Sequence, residues 1–420
     1  MPTIEIKNIG PVKKATFDLN KINVFMGPQS SGKSTIAKII SFCTWLDKKY
    51  ARDGFFSAIK ENDLDIPDYI EELKSYHRLT NGYFSDESSI AFDGEEIAFS
   101  YNREFLSGAN LAYIIGNENK TDHKNKFKIG IKIGKRRQSD KVIYIPSERN
   151  FVSAIYNLNE YLRDKDLIQD FVNNWYEAKR KYSKENKLQI LDLGVKYHND
   201  GEDIDKLTLD SGEELTLQIA SSGLQAVTPL ITLFDYLARG IYNDSRPMSV
   251  SERDKMVKQY NEMVKQVRDG GTKIDTNDLQ TLFNLIVSRN YNQSQFIIEE
   301  PEQNLFPTTQ RDLIYYMLRT LNESKQNHRL TFTTHSPYIL YALNNCMMGG
   351  LVYEKMSDKD KDRLKCNFSR IKPHKVSVYQ IHNGVLKEIQ QEDKLIGANY
   401  LDQNMKELMD DFYIMLNYYG

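Results

Sequence analysis

Residues 27–34 read GPQSSGKS, and this stretch restricts the fold of the chain more than any other. Two glycines, a lysine and a serine stand at the fixed positions of the phosphate-binding pattern G-x-x-x-x-G-K-[ST]. An apolar run at 22–26 precedes the pattern and a helical run at 35–40 follows it, so the positive end of a helix would face a bound anion. The alternative is a plain Gly/Ser-rich turn. We predict a strand, a polyphosphate-binding loop and a helix.

The pattern gives each part of the loop a role. Glycines at 27 and 32 permit a tight turn and let backbone N–H groups approach phosphate oxygens. Lys33 supplies a positive charge for the β- and γ-phosphates, and the Ser34 hydroxyl suits Mg²⁺. The predicted nucleotide-binding residues are Gly27, Pro28, Gln29, Ser30, Ser31, Gly32, Lys33, Ser34 and Thr35.

A second strand-like run ends in a pair of carboxylates. Residues 296–307 read FIIEEPEQNLFP, in which three apolar residues precede Glu299 and Glu300. Beside a phosphate-binding loop, one of the two carboxylates would join the shell of the magnesium ion, and the second would orient or deprotonate the attacking water. Without such a loop, an exposed Glu-Glu pair at the end of a strand is an ordinary alternative.

Two further segments bear on the same chemistry. Residues 330–337 read LTFTTHSP, a β-rich run that places His335 at its end, where it would hydrogen-bond a γ-phosphate or the attacking water. Residues 219–225 read IASSGLQ and lead into an apolar helix. This helix start is either an anion site, a simple cap with Ser222 as the N-cap, or both.

The order of these four motifs resembles the ATPase heads of the ABC type, among them the SMC-like proteins and the overcoming-lysogenization-defect (OLD) family. The resemblance implies an α/β fold: a P-loop NTPase with an ABC-type head, in which a mixed-sheet lobe joins a RecA-like parallel lobe, and a helical lid insertion. It places an N-terminal lobe at 1–150, the insertion and signature region at 151–290, and a C-terminal lobe at 291–420. The segment YIPSERN at 144–150 is similar to one that crosses between lobes in small stand-alone relatives.

The resemblance also implies site roles, with ATP and Mg²⁺ as ligands. Ser34 and Glu299 would hold the metal, Glu300 would be the catalytic glutamate, and His335 the switch histidine. The signature residues, which would act on the site of a second copy in a homodimer, are Ser221, Ser222, Gly223 and Gln225.

Three positions depart from the pattern of these heads. Glu299 replaces the usual aspartate, although its longer side chain still reaches a magnesium shell. Leu224 replaces a glycine and leaves less room near phosphate. Gln138 and Glu148 are both candidates for the glutamine of the Q-loop.

Composition is typical of a cytoplasmic protein. With 420 residues, 40% of them hydrophobic, the chain can bury a large core in two lobes. The three cysteines form no C-x-x-C pair, which indicates a reducing compartment and neither zinc nor a disulfide framework. No apolar run approaches the roughly 18 residues of a membrane span, and the N-terminus has no signal-peptide pattern. The net charge of −2 requires any nucleic-acid contact to use a local patch.

One such patch lies between Lys120 and Arg137, where eight basic residues accompany the single acid Asp122. Its part at 128–133 alternates basic and apolar residues, which predicts a strand with one basic face. A DNA-backbone contact is one interpretation. A solvated strand followed by a basic loop is the other.

The remaining segments predict helices and a short tail. Residues 156–182 and 251–268 have helical periodicity without sustained heptads, which favours a compact lid over a long coiled coil. A strand pair follows at 376–384, and a final helix carries Leu401, Met405, Leu408, Met409, Phe412 and Met415 on one face. That face either packs on the core or docks a partner. The charged loop at 358–362 lacks a preceding strand of the kind a nuclease domain needs, so we predict no nuclease.

Together these features predict an ATP-driven switch that dimerises and hydrolyses ATP. The resemblance implies control of a separate effector, a nuclease or a toxin, in prokaryotic anti-phage defence or DNA repair. A nucleotide-dependent binding scaffold with little turnover is the alternative. A transporter ATPase is disfavoured because the tail and lid do not resemble transporter heads.

Overall fold

The computed structural model describes residues 1–61, 68–106, 111–116, 127–132, 140–155, 158, 166–201, 204–243 and 291–419. Its strands are β1 (Thr3–Ile9), β2 (Val12–Asp18), β3 (Ile22–Met26), β4 (Phe84–Asp93), β5 (Ile97–Tyr101), β6 (Leu111–Gly116), β7 (Phe127–Lys132), β8 (Lys141–Ile145), β9 (Leu188–Gln189), β10 (Val195–Asn199), β11 (Asp205–Leu209), β12 (Glu214–Thr216), β13 (Ser294–Ile298), β14 (Arg329–Thr334), β15 (Val376–His382) and β16 (Val385–Glu388). Its helices are α1 (Lys33–Glu61), α2 (Tyr69–Tyr76), α3 (Phe151–Ala154), α4 (Leu167–Lys179), α5 (Ser222–Asp235), α6 (Ile241–Asn243), α7 (Pro307–Glu323), α8 (Pro337–Val352), α9 (Asp358–Arg363) and α10 (Tyr400–Leu416).

Twelve strands form one mixed sheet in the order β6-β7-β5-β4-β1-β2-β16-β15-β3-β14-β13-β8. The strands from β15 to β8 are parallel to one another, and those from β6 to β2 are antiparallel. Strands β9 to β12 form a separate antiparallel sheet. The parallel part brings the carboxyl ends of β3, β13, β14 and β8 to one edge, where ligands bind in open α/β sheets.

The parallel strands are buried on both faces, and alternate residues enter different cores. In β3, Ile22, Val24 and Met26 join one cluster with helices α5, α7 and α8, whereas Phe25 joins a second cluster with α1 and the antiparallel strands. In β8, Tyr144 likewise lies in the second cluster between two residues of the first. This placement explains why these strands read as continuous apolar runs.

Helix boundaries follow local capping chemistry. The Ser336 hydroxyl accepts hydrogen bonds from the N–H groups of Tyr338 and Ile339, and Pro337 occupies the first turn of α8, where a missing N–H costs nothing. Helix α5 begins similarly, but its N-cap is Ser221, whose hydroxyl accepts from Leu224 N. The expectation that Ser222 caps this helix is therefore wrong by one residue, because Ser222 already has helical geometry.

The predicted α/β class and the strand, loop and helix around residues 22–40 are confirmed. The strand pair at the tail is also confirmed, since β15 and β16 pair antiparallel through a turn at Asn383 and Gly384. Residues 358–362 form the short helix α9 rather than a loop. The final helix exists, but none of its residues is buried, so the core-packing alternative is wrong.

Some predicted segments lie outside the described residues. These segments are 251–268 and most of 120–137. The segment 156–182 is described in part, and that part includes α4. Among the helices that are described, none has the length and apolar character needed to cross a membrane.

Candidate nucleotide-binding site

The loop between β3 and α1 has a backbone that only glycine tolerates at two points. Gly27 and Gly32 have φ of 154° and 109°. A Cβ at Gly27 would lie 2.4 Å from the carbonyl oxygen of Ile381, and one at Gly32 would lie 2.6 Å from Val12 Cγ2. The loop therefore bends as a phosphate cradle requires, and a side chain at either glycine would push it open.

Lys33 lies inside this cradle. Its side chain is 4% exposed, and Nζ donates to the carbonyl oxygens of Gly27 at 3.0 Å and Pro28 at 2.7 Å. Burial lowers the pKa of Lys33 to about 8, although the nearby carboxylates of Glu300, Glu302 and Glu299 oppose the shift. Among the described residues, its hydrogen-bond acceptors are these two neutral carbonyls, which a polyphosphate would outcompete.

Ser34 and Glu299 meet beside the lysine. The Ser34 side chain lies near the Glu299 carboxylate, and burial raises the pKa of Glu299 despite that neighbour. The Tyr144 hydroxyl donates to Glu299 Oε1 from strand β8. Hydroxyl and carboxylate oxygens are the donors that Mg²⁺ prefers, so this pair fits a magnesium site. Tyr144 was not predicted; it occupies an apolar strand, and only the pairing of β8 with β13 brings it to Glu299.

Glu300 and His335 form the second half of the site. His335 Nε2 lies 3.1 Å from Glu300 Oε1, and this hydrogen bond is the main cause that lowers the pKa of Glu300. Glu300 has φ of 41°, in the left-handed region that side chains rarely adopt. Its N–H donates to Thr333 O at 3.2 Å, which holds this strained turn against β14.

Glu302 supports His335 from below. Its Oε1 accepts from the Thr334 hydroxyl at 2.8 Å and from His335 N at 2.6 Å. Burial raises the pKa of Glu302. This residue was not predicted, although it is the next acid after the Glu-Glu pair, because nothing in the sequence places it under β14.

Arg149 is fully buried and joins several segments through their backbones. Its guanidinium donates to the carbonyl oxygens of Pro146 (3.3 Å), Ala226 (3.2 Å), Glu299 (2.8 Å), Glu300 (2.8 Å) and Pro301 (3.3 Å). The turn that carries both glutamates is thus tied to helix α5. Burial lowers the pKa of Arg149 to about 10. Arg149 was not predicted as a site residue, although it lies within the segment YIPSERN.

The signature residues lie apart from the loop. Ser221 and Ser222 are exposed at the start of α5, and no hydrogen bond among the described residues links them to 27–34. Gly223 passes so close to the turn after β13 that a Cβ there would lie 2.9 Å from Asn304 O. Gln225 turns inward, since Nε2 donates to Gln218 O at 2.7 Å. Ser221 and Ser222 therefore offer their hydroxyls to solvent or to another molecule.

The remaining predicted loop residues surround the cradle. Thr35 is buried, Gln29 and Ser30 are exposed, and Pro28 is half-buried. The Ser31 hydroxyl is buried, and it has no hydrogen-bond partner in the described part of the chain. Of the two Q-loop candidates, Glu148 is exposed at the end of β8, and Gln138 lies outside the described residues.

The described part of the basic patch is strand β7. Phe127, Ile129 and Ile131 are buried. Lys128 Nζ lies 3.4 Å from Glu104, and Lys132 Nζ lies 2.6 Å from Asp93. Both lysines are thus paired with acids of this chain, and the DNA interpretation now depends on residues outside the described ranges.

No protein-family model and no curated protein matches the chain. Solved structures similar to it include the SMC head domain from Thermotoga maritima, at 11% identity and a TM-score of 0.36, with 93% of this chain and 98% of that chain covered. Another is an Smc head domain with an extended coiled coil from Pyrococcus furiosus, bound to the C-terminal domain of ScpA, at 11% identity and a TM-score of 0.38, with 98% and 99% covered. A nucleotide-free ATP-binding cassette of an ABC transporter aligns at 11% identity and a TM-score of 0.27, with 94% and 93% covered. At identities this low, any chemistry proposed for the site has to rest on the residues of this chain.

Proposed function

We propose that this chain binds and hydrolyses ATP with Mg²⁺ at the edge where β3, β13 and β14 end. The observation that carries the proposal is that the buried Lys33 of the glycine-rich loop lies near two carboxylates, Glu299 and Glu300, in different surroundings. Lys33 lies close enough to Glu299 and Glu300 for their charges to affect its pKa. Glycine-rich backbone, buried lysine, metal-type oxygen donors and a histidine-paired carboxylate are together the parts that phosphoryl transfer to water needs.

The different surroundings of Glu299 and Glu300 suit the two carboxylates to different roles. Glu299 lies beside Ser34, and these two oxygen groups would hold Mg²⁺, which neutralises charge on the β- and γ-phosphates. Glu300 is kept ionised by His335, so it can take the proton of the water that attacks the γ-phosphorus. As the new P–O bond forms, the bond to the β-phosphate oxygen breaks and ADP leaves. His335, which lies 3.1 Å from Glu300, would then be placed to hydrogen-bond the transferred phosphoryl group.

We infer that a second copy completes the site. Ser221 and Ser222 are exposed at the N-terminus of α5, a suitable donor surface for a γ-phosphate. Arg149 connects α5 to the backbone of Glu299 and Glu300. A phosphate that engages α5 of one copy would thus be sensed at the catalytic turn of that same copy.

The finer biological role rests on the resemblance between this motif order and SMC-like and OLD ATPase heads. On that basis, the ATP-driven closure controls a separate effector, a nuclease or a toxin, in prokaryotic anti-phage defence or DNA repair. The alternative is a binding scaffold that closes on ATP but turns it over little. The ionised Glu300 next to His335 favours turnover.

Complementation between two inactive variants tests the shared site. Ser222→Glu would set a carboxylate against the partner's γ-phosphate, and Lys33→Ala would remove the charge in the cradle. Each variant alone should lose ATPase activity, while Ser222→Glu retains ATP binding. A mixture should regain part of the activity, because one of the two sites in a mixed dimer has both groups. Full activity of Ser222→Glu alone would refute sharing, and undiminished ATP binding by Lys33→Ala would refute the nucleotide site itself.

A further inference from the structure

Helix α10 leaves the body of the protein with almost all of its surface uncovered. Its first turn is anchored, since Asp402 Oδ1 accepts from the Tyr341 hydroxyl at 2.6 Å and Leu401 packs against the edge of the core. None of its residues is buried. At 1.5 Å per residue, the helix is roughly 25 Å long. Tertiary contact therefore fixes where it begins but does not explain why it is apolar.

Five apolar residues of α10 follow a heptad seam, whereas the exposed Tyr413 and Ile414 lie off it. Leu401, Met405, Leu408, Phe412 and Met415 are separated alternately by four and three residues, the spacing of a and d positions in a coiled coil. Met409 and Leu416 lie beside the seam at e positions. The exposed fractions along this face are 58% for Met405, 67% for Leu408, 41% for Met409, 52% for Phe412, 62% for Met415 and 47% for Leu416. A stripe of this kind fits another helix with the same spacing.

The charges of α10 are placed so that two copies can meet. Lys406, Glu407 and Asp410 point away from the seam. In a parallel pair, position g of one helix faces e of the other, so Asn404 would face Met409 and Asp411 would face Leu416. No two carboxylates meet in that arrangement. An antiparallel pair would instead place the Asp411 side chains of the two copies on the same flank.

The area is sufficient for a specific contact. A fully exposed residue of this size has a surface of roughly 200 Å². With the six exposed fractions given above, the face exposes about 650 Å² per copy, or about 1,300 Å² in a pair. Specific protein interfaces begin near that size, whereas casual contacts are smaller. The pair would also be isologous, with the same face used by both copies.

We propose that α10 pairs in parallel with α10 of a second copy of this chain, and that this contact needs no nucleotide. It differs from the ATP-dependent contact through residues 221–225, and it holds two bodies side by side before ATP binds. The occupant is a second copy because the seam matches itself, the flanking positions set no two carboxylates against each other, and the area reaches the size of a specific interface.

Two matched variants of the full chain test the proposal without nucleotide. Leu408→Asp with Phe412→Asp places two carboxylates in the seam. Gln403→Asp with Ile414→Asp adds the same charge on the opposite face of the same helix. By light scattering, the unaltered chain and the opposite-face variant should have twice the chain mass at micromolar concentration, and the seam variant should have the single mass. Thermal unfolding checks that each variant is folded, as we expect because all four positions are exposed.

A single cysteine tests the parallel register. Met415→Cys lies at a d position near the free end of α10, so in a parallel pair it faces itself and should form a disulfide-linked dimer on oxidation, whereas Ile414→Cys should not. The three native cysteines are buried. A monomeric unaltered chain would overturn the proposal and leave the face to a different protein. A dimeric seam variant would also overturn it, and dimers without the Met415→Cys cross-link would overturn the parallel arrangement.

Discussion

Arg149 Nη2 donates to the carbonyl oxygen of Glu300 at 2.8 Å. Glu300 is also the residue whose φ of 41° turns its carboxylate towards His335. A fully buried guanidinium thus holds the backbone of the proposed general base in a conformation that costs energy. The same guanidinium reaches Ala226 in helix α5 at 3.2 Å, so the position of Glu300 is coupled to the helix that begins with Ser221 and Ser222.

Arg149→Lys should lower kcat without weakening the binding of ATP. Lysine keeps the charge but cannot reach five carbonyls with one ammonium group, so the turn at Glu300 should relax. We expect kcat to fall roughly 10-fold or more, since small misplacements of reacting groups cost up to about 10²-fold. The affinity for ATP should stay within about 2-fold, because the hydrogen bonds of Arg149 in the described part of the chain do not reach the loop at 27–34.

The control for this variant is Arg319→Lys, an exposed arginine paired with Glu323 on the surface of α7. It should leave both kcat and ATP affinity unchanged. Equal losses of kcat and ATP affinity in Arg149→Lys would indicate general loss of structure, and an unchanged kcat would exclude a positioning role.

The two glutamates should give different phenotypes. Glu300→Gln retains shape but cannot accept a proton, so hydrolysis should fall roughly 10²-fold or more while ATP still binds. Glu299→Gln should instead raise the Mg²⁺ concentration required for activity, because it weakens an oxygen ligand. Rates measured across a Mg²⁺ titration distinguish the two. If Glu299→Gln stops turnover at every Mg²⁺ concentration and Glu300→Gln does not, the assigned roles are reversed.

Tyr144→Phe should weaken the metal site without removing a ligand. The Tyr144 hydroxyl donates to Glu299 Oε1, and partners of metal ligands typically contribute about 10- to 100-fold to metal affinity. We expect the Mg²⁺ requirement to rise by roughly 10-fold, measured as the half-saturating Mg²⁺ concentration for ATP hydrolysis. Tyr182→Phe removes a similar hydrogen bond, from a buried tyrosine to Asp235, and should leave that concentration unchanged. Equal effects of the two variants would remove Tyr144 from the site.

The sequence was sufficient for the parts of the site that are local. The strand, loop and helix around Lys33 follow from residues adjacent in the chain, and the positions of Glu299 and His335 follow from parallel strands ending at one edge. Arg149, Tyr144 and Glu302 were not predicted, because their roles depend on contacts across 32 to 155 residues of sequence. A buried arginine that binds only backbone carbonyls leaves no pattern of partner side chains to recognise.

The C-terminal helix α10 illustrates a second limit of prediction from sequence, which concerns what its apolar face contacts. The periodicity of α10 predicts a helix with one apolar face, and the helix is present. Periodicity is the same whether that face meets the core of its own chain or another molecule. Only the fold, which anchors Tyr400 and Leu401 and leaves the rest uncovered, separates these alternatives.

Proton uptake by Lys33 gives a test that depends on pH. Burial lowers the pKa of Lys33 to about 8 in the protein without nucleotide, whereas bound phosphates would hold the ammonium charged. ATP binding near pH 8 should therefore take up protons, and affinity should fall as pH rises through that value. From pH 7 to pH 9 the charged fraction drops about 10-fold, so the dissociation constant should rise about 10-fold. The terminal phosphate of ATP, with a second pKa of about 6, is already about 90% ionised at pH 7 and contributes little opposing change. Calorimetric titrations in two buffers of different ionisation enthalpy measure the uptake directly.

Lys33→Arg is the matched control, because arginine stays charged throughout this range, so its affinity should be weaker but nearly independent of pH. The same pH dependence in both proteins would show that a group other than Lys33 titrates, and an affinity that rises with pH would contradict a buried ammonium as the phosphate-binding charge.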